Sequence, residues 1–258
     1  MHYFEKEWKV LRSSLKDYYK VGKPEALHQF RIQVKKLRAL IILLESNGEK
    51  HPLSKRFKPL RRIFKKAGMI RDAYLHEQLT RQMKLGRTGI IKEQREIQKK
   101  AVREFQAETD KFFEDLKESH KSLRKKLRPV NKVHLIRYYD RVLKEIALII
   151  AKFKFDEEMH SCRKLIKVLI YNHKVARPLL NPALNEDYLK NIETAIGDWH
   201  NLALALEFFA QHDIKNQMGI RLLKKQDHKL RADVRALGKD FYQRARALLG
   251  SQIEPVGF

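Results

Sequence analysis

The chain has 258 residues, of which 56 are Lys or Arg and 31 are Asp or Glu, so its formal net charge is +25 at pH 7. Because 43% of the residues are hydrophobic and only ten are Gly and seven Pro, the composition excludes a disordered basic tail. The single cysteine, Cys162, excludes an intramolecular disulfide and a cysteine-based zinc site. With no N-terminal apolar signal region and no apolar run approaching roughly 18 residues, we expect a cytosolic protein without a membrane span. The charge predicts an anionic partner.

Apolar residues recur every three or four positions along most of the chain, and this spacing predicts helices. Gly and Pro mark the expected breaks, which fall at Gly22 to Pro24, Asn47-Gly48, Gly86 to Gly89, Pro129, Arg177 to Pro182 and Gly219. Eight helices are predicted, at residues 2–20, 24–46, 52–85, 90–127, 132–152, 156–176, 185–212 and 218–249. No stretch alternates apolar and polar residues between turn signals, so we predict an all-α fold.

The second predicted helix carries a row of cations beside its apolar face. At 100° per residue, an arc of roughly 80° contains His28, Arg31, Lys35 and Arg38. The adjoining apolar arc contains Leu27, Phe30, Val34, Leu37, Ile41 and Leu44. No Asp or Glu occurs in residues 26–44, which favours an anion-binding face. The alternative is a solvated face whose Lys and Arg stems cover the edge of the core.

Arg71, on the third predicted helix, falls in the middle of an apolar arc, where a cation needs a partner. The sequence leaves two interpretations open. One is an internal ion pair, with Asp72 or with a carboxylate elsewhere in the chain. The other is an arginine that points into the anion site.

The sixth predicted helix repeats the spacing H-x-x-R-x-x-x-K, 132 residues after the first occurrence. Its cations are His160, Arg163, Lys167 and Lys174, and they lie beside Met159, Cys162, Ile166 and Leu169. We interpret Cys162 as a core thiol rather than a nucleophile because it belongs to this apolar face.

The third and seventh predicted helices match at an offset of 129 residues. There Leu60, Ile63, Gly68 and Leu75 align with Leu189, Ile192, Gly197 and Leu204, and Arg71-Asp72 aligns with His200-Asn201. We therefore predict an internal duplication of two four-helix repeats, residues 1–129 and 130–258. If the repeats pack about a pseudo-twofold axis, both rows of cations would line one basic central groove.

These motifs resemble the CHAD family, the conserved histidine α-helical domain. The resemblance rests on H-x-x-R-x-x-x-K in each half and on Gly68-x-x-Arg71-Asp72, and it spans nearly the whole chain. It implies a pseudo-twofold pair of four-helix bundles around a basic cavity that binds inorganic polyphosphate without catalysis or a cofactor. A cytoplasmic location, with association with polyphosphate granules, is also expected.

The resemblance also implies which residues contact the anion. The second half departs from the pattern, because Ile170 stands where Arg38 stands in the first, although Tyr171 fits and Lys174 partly compensates. The candidate polyphosphate-binding residues are His28, Arg31, Lys35, Arg38, Arg71, His160, Arg163, Lys167, Tyr171 and Lys174.

Three other functions compete with this hypothesis. A chain with a pI near 10.1 binds nucleic acid as well, which we expect to be a weaker competitor, since zinc-finger and RNP motifs are missing from the sequence. An enzyme that transfers phosphate needs a glycine-rich phosphate loop such as G-x-x-x-x-G-K, and the sequence has none. Eleven histidines suggest a metal site, but cations surround both His28 and His160 and would repel a divalent ion.

Overall fold

The computed structural model describes residues 1–46, 52–82, 89–180, 184–212 and 217–246, and within these ranges it contains helices and no strand. The helices are α1 (His2–Val21), α2 (Pro24–Glu45), α3 (Leu53–Arg56), α4 (Lys58–Gln82), α5 (Ile90–Ala107), α6 (Thr109–Arg124), α7 (Lys132–Ala151), α8 (Glu157–Ala176), α9 (Glu186–Gln211), α10 (Gln217–Gly238) and α11 (Phe241–Arg246). A 3₁₀ turn at Arg177–Leu179 follows α8. The all-α prediction is confirmed. None of the described helices is long and apolar enough to cross a bilayer.

Helices α1 and α2 are separated as the sequence predicts. Gly22 ends α1 with φ 71°, a left-handed conformation that glycine adopts without strain, and its N–H donates to the Tyr18 carbonyl at 2.7 Å. Pro24 begins α2, where the absence of a proline N–H costs nothing because the first helical N–H groups have no acceptor within the helix. The expected break at Asn47-Gly48 lies outside the described residues.

The predicted helix at 52–85 is divided within its described part. Helix α3 ends at Arg56, a turn occupies Phe57, and α4 begins at Lys58. Pro59 is the physical reason, since it has no N–H to donate to the carbonyl of Lys55. The sequence contains this signal, and our prediction overlooked it.

Two further predicted helices are also divided. The helix at 90–127 breaks at Glu108, whose φ is −104°, and the Thr109 hydroxyl donates to the Gln106 carbonyl at 2.5 Å. The helix at 218–249 breaks after Gly238, and Asp240 has φ 53°. A side-chain hydroxyl that competes for a helix carbonyl favours the first break, and the left-handed residue produces the second.

Clustering of contacts divides the chain into two compact units. Unit 1 comprises Met1–Pro129 with Phe208–Lys215, and unit 2 comprises Val130–Glu207 with Asn216–Phe258. The pseudo-twofold relation between two four-helix repeats stays a prediction.

The core of unit 1 forms where α1 packs on α2 and α4 packs on α2, α5 and α6. All six apolar residues predicted for the face of α2 are buried. The buried residues of α1 and α4, which pack on α2, include Phe4, Trp8, Leu11, Leu15, Leu60 and Ile63. The apolar face of α2 therefore fixes the direction in which its basic row points.

The core of unit 2 forms where α7 packs on α8, α10 and α11. Cys162 of α8 is fully buried, and burial raises the pKa of its thiol to about 12. A thiol in this environment stays protonated at neutral pH, which supports its interpretation as a core residue. The hydroxyl of Tyr188 donates to the Leu237 carbonyl at 2.7 Å and so ties α9 to the end of α10.

The close approach at the end of α10 predicts that Gly238→Ala destabilises the protein. A Cβ at Gly238 would lie 2.5 Å from Ile150 Cγ2 and 3.2 Å from the Phe153 ring. Overpacking of this kind lowers the free energy of unfolding by about 1–3 kcal/mol, which urea denaturation measures. In an Ile150→Ala background the cost should be clearly smaller, because the clashing methyl is gone. Equal costs in the two backgrounds would contradict the contact.

Candidate functional site

The first basic row (His28, Arg31, Lys35 and Arg38) lies along α2 at the edge of the unit 1 core. Its two ends, His28 and Arg38, are exposed, whereas Arg31 and Lys35 in the middle are half-buried. This gradient follows from the helix, since the middle pair faces α4. The row is therefore partly a solvated face and partly a packed one.

Arg31 lies directly on Gly68 of α4. Its Nη1 donates to the carbonyl of Phe64 at 3.0 Å, and its Cζ lies 4.3 Å from the centroid of the Phe64 ring. A Cβ at Gly68 would overlap Nη1 of Arg31. Glycine thus makes room for the guanidinium, which is held by a backbone carbonyl and an aromatic face.

The charge of Arg31 is partly removed from water. Burial is the main influence on the Arg31 pKa and lowers it, the charge of Asp72 acts in the opposite direction, and the charge of Arg71 lowers it further. An arginine begins from so high a pKa that it stays charged at neutral pH. The result is a cation with little water around it, which strengthens its attraction for an anion.

The second basic row (His160, Arg163, Lys167 and Lys174) repeats this geometry on α8 in unit 2. Arg163 lies on Gly197 of α9, where a Cβ would come within 2.6–2.8 Å of its guanidinium. Its Nε lies 3.4 Å from the carbonyl of Glu193, as Arg31 meets the carbonyl of Phe64. Both arginines therefore reach the carbonyl that precedes the aligned glycine by four residues.

The two rows differ in the side chain that contacts the arginine, which is a carboxylate in the second row and an aromatic ring in the first. Glu193 Oε1 accepts from Arg163 Nε at 2.8 Å and lies 3.1 Å from Lys167 Nζ. The aligned residue in unit 1 is Phe64, whose ring lies 5.9 Å from Lys35 Nζ. Sequence reasoning missed both residues, although the 129-residue offset that aligned the two glycines also aligns Phe64 with Glu193.

His160 stacks on His200 in unit 2, with ring centroids 3.7 Å apart. Burial and the neighbouring His200 lower the pKa of His160 to about 4, and burial with the charge of Arg163 lowers the pKa of His200. Nδ1 of His160 is buried and has no hydrogen-bond partner among the described residues. Both rings are therefore neutral at pH 7, and an anion nearby would favour their protonation.

Arg71 of α4 forms no ion pair with Asp72 or with any other described carboxylate. Its Cζ lies 5.2 Å from the centroid of the Tyr74 ring. It also lines a cavity of about 110 Å³, together with Tyr18, Gly22, Pro24, Leu27, Ile70, Tyr74, Gln98, Val102 and Gln106. The internal ion pair considered for Arg71 is thus not formed in this part of the chain.

The remaining candidate residues have less defined positions. Lys174 is exposed at the end of α8. Tyr171 is half-buried, and burial raises the pKa of its phenol, with the charge of Glu193 acting in the same direction and that of Arg163 against it. The described residues contain no group of three His, Cys, Asp or Glu side chains arranged to hold a metal ion. The ten candidate residues stay a prediction as a binding set.

Comparison with known proteins gives one family. The family model of the CHAD domain matches residues 2–210. No curated protein matches the chain. The matched range contains all ten candidate residues as well as Phe64, Gly68, Glu193 and Gly197.

The lowered pKa of His160 predicts a specific loss of stability in acid. In the unfolded chain this imidazole protonates near pH 6.5, whereas in the folded protein it stays neutral down to about pH 4. Its contribution to the free energy of unfolding is therefore complete above pH 6.5 and is lost progressively as the pH falls towards 4. Urea denaturation at both pH values should show a smaller loss for His160→Gln than for the wild type.

The exposed His2 provides the control for this experiment, because His2→Gln should keep the wild-type loss. The ring resonances of His160 give a direct check by NMR. A midpoint near 6.5 in the folded protein would contradict the buried, neutral imidazole.

Proposed function

The chain belongs to the CHAD domain family, and on that premise we propose that it binds inorganic polyphosphate without catalysing a reaction on it. The CHAD domain is associated with polyphosphate binding. The finer proposal names the contacts: the first and second basic rows bind the phosphates, each from its own unit.

The observation that carries the proposal is a contact found in both units, in which an arginine guanidinium packs against a helical glycine. Arg31 on Gly68 and Arg163 on Gly197 each donate to the backbone carbonyl four residues before that glycine, from Nη1 at 3.0 Å and from Nε at 3.4 Å respectively. A lysine follows each arginine four residues later. Four residues of helix advance about 6 Å, so each row presents cations at a regular spacing. A flexible chain with a negative charge on every phosphate can meet such a row at successive positions, and arginine adds bidentate contacts.

The aromatic rings beside the first row favour phosphates over bases. Proteins that bind single-stranded nucleic acid stack bases on exposed aromatic faces. Here Arg31 covers a face of Phe64 at 4.3 Å, and Arg71 lies 5.2 Å from Tyr74. These faces already hold guanidinium groups, which leaves charge rather than stacking as the means of recognition.

The residues also support binding without catalysis. The only cysteine is buried with a raised pKa, so it supplies no thiolate nucleophile. The carboxylate in the second row, Glu193, is already paired with two cations, since it accepts a hydrogen bond from Arg163 and forms an ion pair with Lys167. The chain also lacks the glycine-rich loop that cradles a transferred phosphate.

Salt dependence tests whether the row contacts phosphates. We expect the logarithm of the binding constant for long polyphosphate to fall linearly with the logarithm of the salt concentration. Lys35→Gln should reduce the magnitude of that slope by about 0.7, the value for one phosphate contact on a single strand. Lys225→Gln removes the same charge from an exposed site on α10 and should leave the slope nearly unchanged. Equal slopes for the two variants would show that the first basic row is only a solvated face.

Competition distinguishes polyphosphate from nucleic acid. Long polyphosphate, single-stranded RNA and duplex DNA are compared at equal phosphate concentration and one near-physiological salt concentration. Polyphosphate should bind more tightly, because it presents a negative charge at every phosphate to the two basic rows. Equal or tighter binding of RNA or DNA would overturn the proposal in favour of a nucleic-acid function.

A further inference from the structure

We propose that Glu193 acts as a built-in competitor for the anion in unit 2, so that the two copies of the motif bind unequally. The inference rests on the proposed function and deepens it, because it identifies the residue that determines how much each basic row contributes. The first row, over Phe64, would be the stronger binding site. The second would bind a phosphate only as Glu193 is displaced.

The geometry of unit 2 places the carboxylate where an incoming oxyanion would bind. One oxygen, Oε1, accepts a charge-assisted hydrogen bond from Arg163 Nε at 2.8 Å and forms an ion pair with Lys167 Nζ at 3.1 Å. The side chain of Glu193 is only 16% exposed, and those of Arg163 and Lys167 are 21% and 26% exposed. At this depth water screens the three charges less than it would at the surface, so displacement of the carboxylate has a free-energy cost.

The geometry of unit 1 provides the comparison within the same molecule. Arg31 also packs against a glycine and donates to the equivalent backbone carbonyl. The residue that provides this carbonyl is Phe64, so its side chain is an aromatic ring and not a carboxylate. The ring attracts a cation through its quadrupole and carries no net charge. It therefore holds the guanidinium in place without an ion pair. The charge of Asp72 acts on Arg31, but among the described residues no carboxylate forms an ion pair with this guanidinium.

A consequence for the ligand follows from this difference. A single phosphate gains little from unit 2, because its charge replaces a carboxylate that is already bound and tethered. A chain that is anchored on the first row brings further phosphates to the protein at high effective concentration and so competes better with the carboxylate. A long chain therefore engages the second row in competition with Glu193, whereas a short anion binds mainly at the first row.

Exchange of the side chain at this position tests the inference. Glu193→Gln keeps the shape of the side chain and removes its charge, so it should tighten the binding of long polyphosphate about fivefold at fixed salt. Asp198→Asn is the matched control, since Asp198 is exposed on the same helix and its change alters the net charge equally. That control should change the affinity by less than about twofold. The reciprocal substitution, Phe64→Glu, should weaken binding.

Melting curves must first show that each variant is folded, and Glu193→Phe serves as a second variant if Glu193→Gln is not. Equal affinities for Glu193→Gln and Asp198→Asn, with the wild type binding polyphosphate, would overturn the inference and leave the proposed function standing. If neither the wild type nor Glu193→Gln binds polyphosphate, the function and the inference fall together. Long polyphosphate should gain more from Glu193→Gln than tripolyphosphate does, because the short anion binds mainly at the first row in either variant, and an equal gain would overturn this difference between the rows.

Discussion

Each candidate site is organised around the contact between an arginine guanidinium and a helical glycine. A guanidinium can lie against the backbone of a neighbouring helix only where no Cβ intervenes, and Gly68 and Gly197 provide that space. The close approach brings the donor to a helix carbonyl and removes part of its water. The charge is then fixed in position, and its attraction for an anion is stronger because the surrounding dielectric is lower than that of bulk water.

The apolar packing determines where these arginines can be. Helix α2 buries its apolar face against α1 and α4, so the row that adjoins this face runs along the edge of the core. The same relation holds for α8, whose buried Met159 and Ile166 leave Arg163 at the boundary facing α9. Hydrophobic burial therefore aligns the cations along the edge of the core, where their stems cover it.

Periodicity alone predicted the helices and the buried face of α2, since both depend on local spacing that a single sequence shows. The sequence also contains the signal for the break at Phe57, because Pro59 has no N–H to donate, but we predicted a continuous helix there. The partner of Arg163 was of another kind. Glu193 lies 30 residues away along the chain, and which carboxylate reaches which cation depends on how two helices pack. Alignment of the two halves offered the sole local clue, because it placed an aromatic ring opposite an acid.

The acceptor that holds each arginine is part of the main chain, and this has a consequence for how the two copies of the motif can differ. A mutation cannot remove a backbone carbonyl, so Arg31 and Arg163 keep this acceptor whichever side chain stands at position 64 or 193, provided that the helix is preserved. Selection is then free to vary the charge at this position without rebuilding the site. The two copies of the motif can therefore keep the same kind of backbone contact while a single substitution changes the charge beside one arginine.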